Sequence, residues 1–264
     1  PPLESLRYIA SRAARNQGSP DPKNNFVVMS NDVKRAYFYA PTKRPIYISI
    51  PAEDWEDGDE ERVGVLNLSL YGTRDAASNW ADAYSSHLVQ IGFKIGAASP
   101  CNFYHAGRDV AVTVHGDDFT SCGTPADLKW LDMKLKERYE LKTSVLGPDP
   151  QLGQVQEIRV LNRVLSWTAA GISYEADPRH AELLVKDLGL SEAKGVTTPG
   201  SKDDVAKGVK ESEEANDAVL GKSEATRFRG ISARLNFLAQ DRTDLLYASK
   251  EVSRKMSAPK AGDW

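Results

Sequence analysis

Three carboxylates define the chemistry this sequence can support. Asp117 and Asp118 are consecutive, just behind Gly116 and between two β-rich runs, and Asp32 closes the apolar run Phe26-Val27-Val28-Met29 some 85 positions before Asp117. Carboxylates crowded at one place repel and desolvate one another, so a fold keeps them together chiefly around a highly charged cation. Their hard oxygens suit magnesium or manganese. Two such ions, about 3.5–4 Å apart, can bind the attacking and leaving oxygens of an in-line phosphoryl displacement, the chemistry of nucleotidyl transfer or phosphodiester hydrolysis. An Asp-Asp pair on a turn is also ordinary hairpin composition. The weight therefore falls on whether the chain brings Asp32 beside that turn.

The elements that would do so can be read from periodicity. Leu3, Leu6, Ile9, Ala10 and Ala13 predict an amphipathic helix over 3–15, closed by Asn16-Gln17-Gly18-Ser19-Pro20. The run 26–29 predicts a buried strand ending at Asp32, Ile46 to Ile50 a second strand, and Arg62 to Leu70 another alternating run. From Asp75 the period becomes helical, with Ala76, Ala77, Trp80, Ala83, Tyr84, His87, Leu88 and Ile91 in one stripe, Asp75 as N-cap and Gly92 as stop. His87 lies inside that stripe and reads as a packed core histidine. Residues 109–123 predict a hairpin whose tight turn uses the positive φ open to Gly116. Thr124 and Pro125 then open a helix carrying Leu128, Leu131, Leu135 and Tyr139, and strands are expected over Leu141–Val145 and Val155–Trp167.

The order strand, helix, strand, strand, helix, strand is that of an α+β fold with a split, ferredoxin-like βαββαβ sheet and its helices on one face. In that topology the first strand lies next to the central hairpin, so Asp32 would meet Asp117 and Asp118. Farther on, Asp177-Pro178 caps a helix running to Leu188, residues 200–223 read as polar linker, and 224–256 as two helices broken near Asp241.

Composition sets the outer limits. The 264 residues are 41 % hydrophobic and 27 % charged, an ordinary globular balance. No apolar run approaches the roughly 18–20 residues that cross a bilayer, so no membrane partner is expected. Two cysteines, Cys101 and Cys122, make no disulfide framework and suit a reducing compartment. The net charge of −3 conceals a partition: 1–50 and 225–264 each hold eight Lys or Arg, whereas 53–61 hold seven acids. Basic ends can meet phosphate. There is no Gly-rich phosphate loop, His-Glu-x-x-His or nucleophile elbow. Pro1-Pro2-Leu3-Glu4 resembles neither an initiator nor a signal sequence, and the chain is expected to be cut from a longer reading frame.

Asp32-Val33-Lys34-Arg35-Ala36-Tyr37-Phe38, Leu68-Ser69-Leu70-Tyr71-Gly72 with Trp80, and Gly116-Asp117-Asp118 stand in the order found in a reverse transcriptase palm. The sequence resembles the copia-type retrotransposon polymerases in particular. Tyr174 to Leu190, Val196-Thr197-Thr198-Pro199, Phe228 to Ala239, Asp244 to Met256 and Asp263-Trp264 resemble that family's region between palm and RNase H. The resemblance implies a palm with partial fingers over 1–170, a thumb-like helical region over 171–199, the linker over 200–223, and a helical pair over 224–264 leading toward an RNase H. Most of the fingers, with RNase H, integrase and protease, would lie outside this chain.

It further implies roles. Asp32, Asp117 and Asp118 would be catalytic and would bind two magnesium or manganese ions. Tyr37 would be the wall that excludes a ribose 2′-hydroxyl. Tyr71, Gly72 and Arg74 would touch the incoming nucleotide, and His115 and Gly116 the primer. Leu146-Gly147 or Leu152-Gly153 would mark a primer-gripping hairpin, and Lys142 would protonate pyrophosphate. Two departures stand out: His115 replaces the tyrosine usual before this turn, and Arg74-Asp75-Ala76-Ala77 replaces Lys-Gln-Ala-Pro. The expected activity is RNA-directed DNA polymerisation. Its partners would be an RNA or DNA template with primer, deoxynucleoside triphosphates and the remaining polyprotein, and its location intracellular, in cytoplasm, particle or nucleus. The competing readings are a decayed, inactive element copy with residual nucleic-acid or protein binding, and an unrelated metal-dependent phosphohydrolase.

Overall fold

Strand β1 (Val27–Val33) organises the larger part of the chain, because its apolar half is buried on both faces. It pairs antiparallel on one side with β7 (Asp118–Gly123) and on the other with β8 (Leu141–Leu146). Outward from β7 follow β6 (Val110–His115), β5 (Asn102–His105) and β4 (Lys94–Ile95), giving the antiparallel order β4-β5-β6-β7-β1-β8. The computed structural model describes residues 2–59, 62–196 and 217–264. The chain divides into two units, Pro1–Tyr174 and Glu175–Trp264.

Alternation along the strands separates two cores. Met29, Val112, Val114 and Phe119 face α2 (Ala76–Gln90) and α3 (Pro125–Lys136), which contribute Trp80, Tyr84, Leu88, Leu128, Leu131 and Leu135. Val28, Ala111, Cys122 and Leu146 point the other way. They meet Leu6, Ile9, Ala10 and Ala13 of α1 (Leu3–Arg15), together with Ile158, Val160 and Leu165 of a small sheet. That sheet, ordered β11-β10-β9, comprises β9 (Glu157–Val160), β10 (Arg163–Thr168) and β11 (Gly171–Ala176). Helix α1 has the bounds its periodicity predicts, and Arg12 ties it to Asp109. Helix α3 opens as its sequence predicts, the Thr124 hydroxyl accepting from Asp127 N–H at 3.3 Å with Pro125 in the first turn. A separate ribbon pairs β2 (Tyr47–Ser49) with β3 (Val63–Val65).

Several expectations need correction. Helices cover both faces of the large sheet rather than one, because the apolar row Val28–Cys122–Ala111 requires cover from α1. Strands β4 and β5, too short to show a period, extend the sheet beyond the four strands anticipated. The run 155–167 is broken into two strands by Leu161 and Asn162, both left-handed with φ of 50° and 59°, a two-residue turn without the glycine that would announce it. Within 62–70 only Val63–Val65 is strand.

In the second unit, α4 (Arg179–Asp187) and α5 (Lys222–Ala239) share a small core of Leu184, Ile231 and Leu238 with Ala176, and α6 (Leu246–Ser253) packs against α5. The Asp177 carboxylate accepts from Arg179 N–H at 3.1 Å, the expected cap, and the helical break near Asp241 is present. Helix α5 begins at Lys222, inside the segment read as linker. Residues 200–216 of that linker, and Thr197 to Pro199, lie outside the described residues. No helix among the described residues is long and apolar enough to cross a membrane.

Leu131, fully buried between α3 and the sheet, tests this packing. Leu131→Ala is expected to cost about 2–5 kcal/mol through lost burial and a residual cavity. It should lower the urea midpoint of the larger unit without changing the slope of the transition.

Candidate active site

The register of the sheet brings the sequence-selected residues into one row. Asp32 on β1 lies directly opposite Asp118 on β7 and Lys142 on β8, and Asp118 lies opposite His115 on β6. Directly opposed residues point to the same side of a sheet. His115, Asp118, Asp32 and Lys142 therefore form a cross-sheet row on one face, with Asp32, His115 and Lys142 exposed and Asp118 half-buried. Asp117 sits at the tip of the turn between β6 and β7.

That turn is held by two hydrogen bonds to its backbone. Gly116 takes φ +62° while Asp117 keeps an ordinary φ, the pattern of a two-residue primed turn with glycine first. The Gly116 carbonyl accepts from the Trp80 indole N–H at 2.8 Å, and the Asp117 carbonyl accepts from Val33 N–H at 3.0 Å. Trp80 is itself fixed edge-on against Tyr84, Phe119 and Tyr139. Its period marks Trp80 as core. The role of bracing the Asp117 turn was not legible, because it depends on a contact 36 residues away.

One residue before Asp32, the opposite face carries a polar lock. Asn31 is fully buried, and its amide donates to Asp132 at 3.1 Å and to Thr143 at 3.0 Å, while the Thr143 hydroxyl donates to Asp132. The lock joins β1, β8 and α3 at the level of the carboxylates. Beyond Asp32, Lys34 pairs with Glu140, and the Glu140 N–H donates to the Tyr39 hydroxyl at 2.8 Å.

A second cluster adjoins the turn. The rings of Tyr37 and Tyr71 stand 4.5 Å apart, and Phe38 packs edge-on against Tyr71 at 5.8 Å. The Tyr71 phenol is pushed up, first by burial and then by the charges of Asp117 and Tyr37, which places it within electrostatic reach of the turn. Gly72 has φ +89°, a conformation a side chain would strain. Arg74 is exposed, and among the described residues no hydrogen bond or ring contact joins it or Gly72 to the carboxylate row. Asp75 occupies the N-cap position of α2, but its carboxylate makes no cap hydrogen bond. It accepts instead from Arg44 Nε at 3.0 Å and from a terminal guanidinium nitrogen at 3.1 Å, and Arg44 thereby holds it below the usual carboxylate range. A partner 31 residues away could not be read from local spacing. His87 is a core histidine as expected, buried, facing the Lys134 carbonyl at 3.1 Å and shifted down by burial.

A profile of the reverse transcriptase (RNA-dependent DNA polymerase) family matches residues 21–202, more than half of the chain. The chain belongs to that family. It is similar to Gag-Pol polyproteins of Ty1 transposons from Saccharomyces cerevisiae: 28 % identical to Ty1-MR1 over 125 residues, and 29 % to Ty1-GR3 over 126. Each match covers 47 % of this chain and 7 % of the relative, so the chain corresponds to a small part of those polyproteins. The copia-type reverse transcriptase resemblance drawn from the residues is borne out.

Reverse transcriptases generally use divalent metals. Among the described residues no three acidic, histidine or cysteine side chains close into a ready-made cation cage. The donors are nevertheless suited to one: burial pushes the Asp118 carboxyl up to about 6, and Asp117 and Asp32 push it further in the same direction. A cation bound there would relieve that repulsion. Because this reverse transcriptase carboxyl is raised above its unfolded value of 3.8, its ionisation opposes folding fully above pH 6. The opposition fades as pH falls through 6 toward 4. Asp118→Asn is therefore expected to raise the thermal midpoint of the metal-free protein by about 2–5 °C at pH 7.5, a gain that disappears near pH 4. Millimolar magnesium should raise the midpoint of the unsubstituted chain more than that of the variant. Calorimetry across pH, with and without magnesium, reads both effects.

Proposed function

We propose that this chain is the palm-centred core of an RNA-directed DNA polymerase from a copia-type polyprotein, extending a primer by two-metal nucleotidyl transfer. The observation that carries the reading is the register pairing of Asp32 with Asp118 beside the Asp117 turn, in a chain of the reverse transcriptase family. The strand order β6-β7-β1-β8, with α2 and α3 as the intervening helices, supports the ferredoxin-like palm. Residues 1–170 would be palm with partial fingers, 171–199 thumb-like, 200–223 linker, and 224–264 the helical pair toward RNase H.

In this reading Asp32, Asp117 and Asp118 hold two magnesium or manganese ions. When bound, the ions lower the pKa of the primer hydroxyl and neutralise phosphate charge. Tyr37, backed by the Tyr71 ring, presents a rigid wall under the sugar and excludes a 2′-hydroxyl by clash. His115 offers a planar ring for the terminal primer base. Lys142, one strand from Asp32, carries a proton that can pass to the departing pyrophosphate. Arg74 would meet triphosphate oxygens, and Tyr71 and Gly72 would shape the nucleotide's approach. Template, primer and deoxynucleoside triphosphates are the substrates. RNase H and integrase would be neighbours in the polyprotein, in cytoplasm, particle or nucleus.

The inactive-copy reading draws on Asp75, an acid where incoming phosphates would pass. The bidentate Arg44 pair offsets much of that charge, which favours the active reading. Primer extension on an RNA template with magnesium or manganese is the test. The chain should extend the primer, and Asp117→Asn should reduce extension at least about 100-fold while the fold persists. Extension that survives Asp117→Asn, or a folded chain that extends no primer, overturns the reading, and the second outcome makes the inactive copy the working one.

A further inference from the structure

One row below the carboxylates, on the same face of the sheet, lies a second cross-sheet row: Asn102, Thr113, Thr120, Ser30 and Ser144. At its outer end the row opens into a pocket of about 200 Å³ between the sheet and α1. Ser5, Tyr8 and Ile9 form the roof, and Lys94, Tyr104 and Ala111 form part of the wall. Thr113 is only 5 % exposed, and its hydroxyl has no partner. Asn102 donates from its amide nitrogen to Ser5 Oγ at 2.9 Å, and its Oδ1 is buried without a donor. Two residues with orphaned oxygens thus line one pocket, although buried polar groups are almost always satisfied.

The rest of the pocket suits a planar ligand with an anionic group. The Tyr104 ring is fixed, its hydroxyl donating to Asp109 at 2.5 Å and the Arg12 guanidinium lying 5.4 Å from its centroid. Lys94, opposite Tyr104 on the edge strand, is exposed and makes no ion pair among the described residues. The volume falls short of the roughly 300–1,000 Å³ of whole small-molecule sites and corresponds to one heterocycle. We propose that this pocket binds a single unpaired nucleobase bearing a phosphate. An exocyclic amino group would donate to Asn102 Oδ1 and Thr113 Oγ1, the base would lie against Tyr104, and the phosphate would meet Lys94. Thr113 stands two residues before His115 on β6, about 7 Å along the strand. The pocket is therefore adjacent to the row assigned to the primer end, and the inference rests on the polymerase reading for its nucleic-acid context. Two sources share this chemistry, a free mononucleotide and an unpaired end of a bound strand.

The test is nuclear magnetic resonance titration of the full chain without divalent metal or primer, so that it reads the pocket independently of polymerase chemistry. Cytidine monophosphate, uridine monophosphate and a short single-stranded oligocytidylate are the probes. Cytidine monophosphate should bind saturably, shift resonances of Asn102, Tyr104 and Thr113, and bind tighter than uridine monophosphate, which lacks the amino group. Tighter binding of the oligonucleotide identifies a strand end as the source, and equal binding a free nucleotide. Thr113→Val should weaken cytidine monophosphate about tenfold while leaving the thermal midpoint equal or higher, since it removes an unpartnered hydroxyl. Lys94→Ala should weaken binding and flatten its salt dependence. Absence of saturable binding at millimolar nucleotide, or binding insensitive to both substitutions, overturns the proposal. Primer extension is scored separately, so the failure of either reading is visible without the other.

Discussion

The structure depends on the register of β1 between β7 and β8. Side chains alternate along a strand, so a slip of one residue would turn Asp32 toward α2 and α3 and send Asn31 to the opposite face. Both errors are costly. Asp32 would enter the apolar core beside Val114 and Phe119, and Asn31 would lose Asp132 and Thr143. Fixing Asn31 thus fixes Asp32, and backbone bonds from Val33 to Asp117 and from Lys34 to Glu140 extend the constraint beyond the strand end. Precision at an exposed carboxylate comes from a neighbour buried on the far side of the sheet.

The same arrangement concentrates repulsion. Asp118 is half-buried beside two other carboxylates, and its raised pKa measures how poorly that position tolerates charge without a counter-ion. The scaffold nearby is correspondingly stiff. Trp80 grips the turn, the aromatic cluster of Tyr39, Tyr84, Phe119 and Tyr139 surrounds Trp80, and Tyr71 backs Tyr37. At Asp75 the opposite strategy operates, with an arginine from a distant segment forked onto the carboxylate.

What could be read from the sequence was what local pattern encodes. Helix α1, the Gly116 hairpin and the Thr124-Pro125 start of α3 each carry their own signal within a few residues, and the pairing of Asp32 with Asp118 followed from the order of elements. What escaped has a different physical origin. Strands β4 and β5 are set by pairing rather than by their own composition. The Leu161-Asn162 turn lacks glycine, and the position of α1 on the second face follows from the need to cover an apolar row that no single segment displays. The Arg44–Asp75 and Trp80–Gly116 contacts join segments whose proximity exists only in the folded chain.

The central position of β1 also bears on how the molecule comes into being. It is the first strand in the chain, yet both of its neighbours in the large sheet fall within residues 118–146. Its pairing must wait until about a hundred further residues have left the ribosome. Such long-range closure slows folding, and nascent β1 remains an unsatisfied apolar strand in the meantime. The same connectivity keeps Asp32 apart from Asp117 and Asp118 until β7 and β8 are there to flank β1. The concentrated negative charge is therefore assembled only as β1 enters the sheet between β7 and β8.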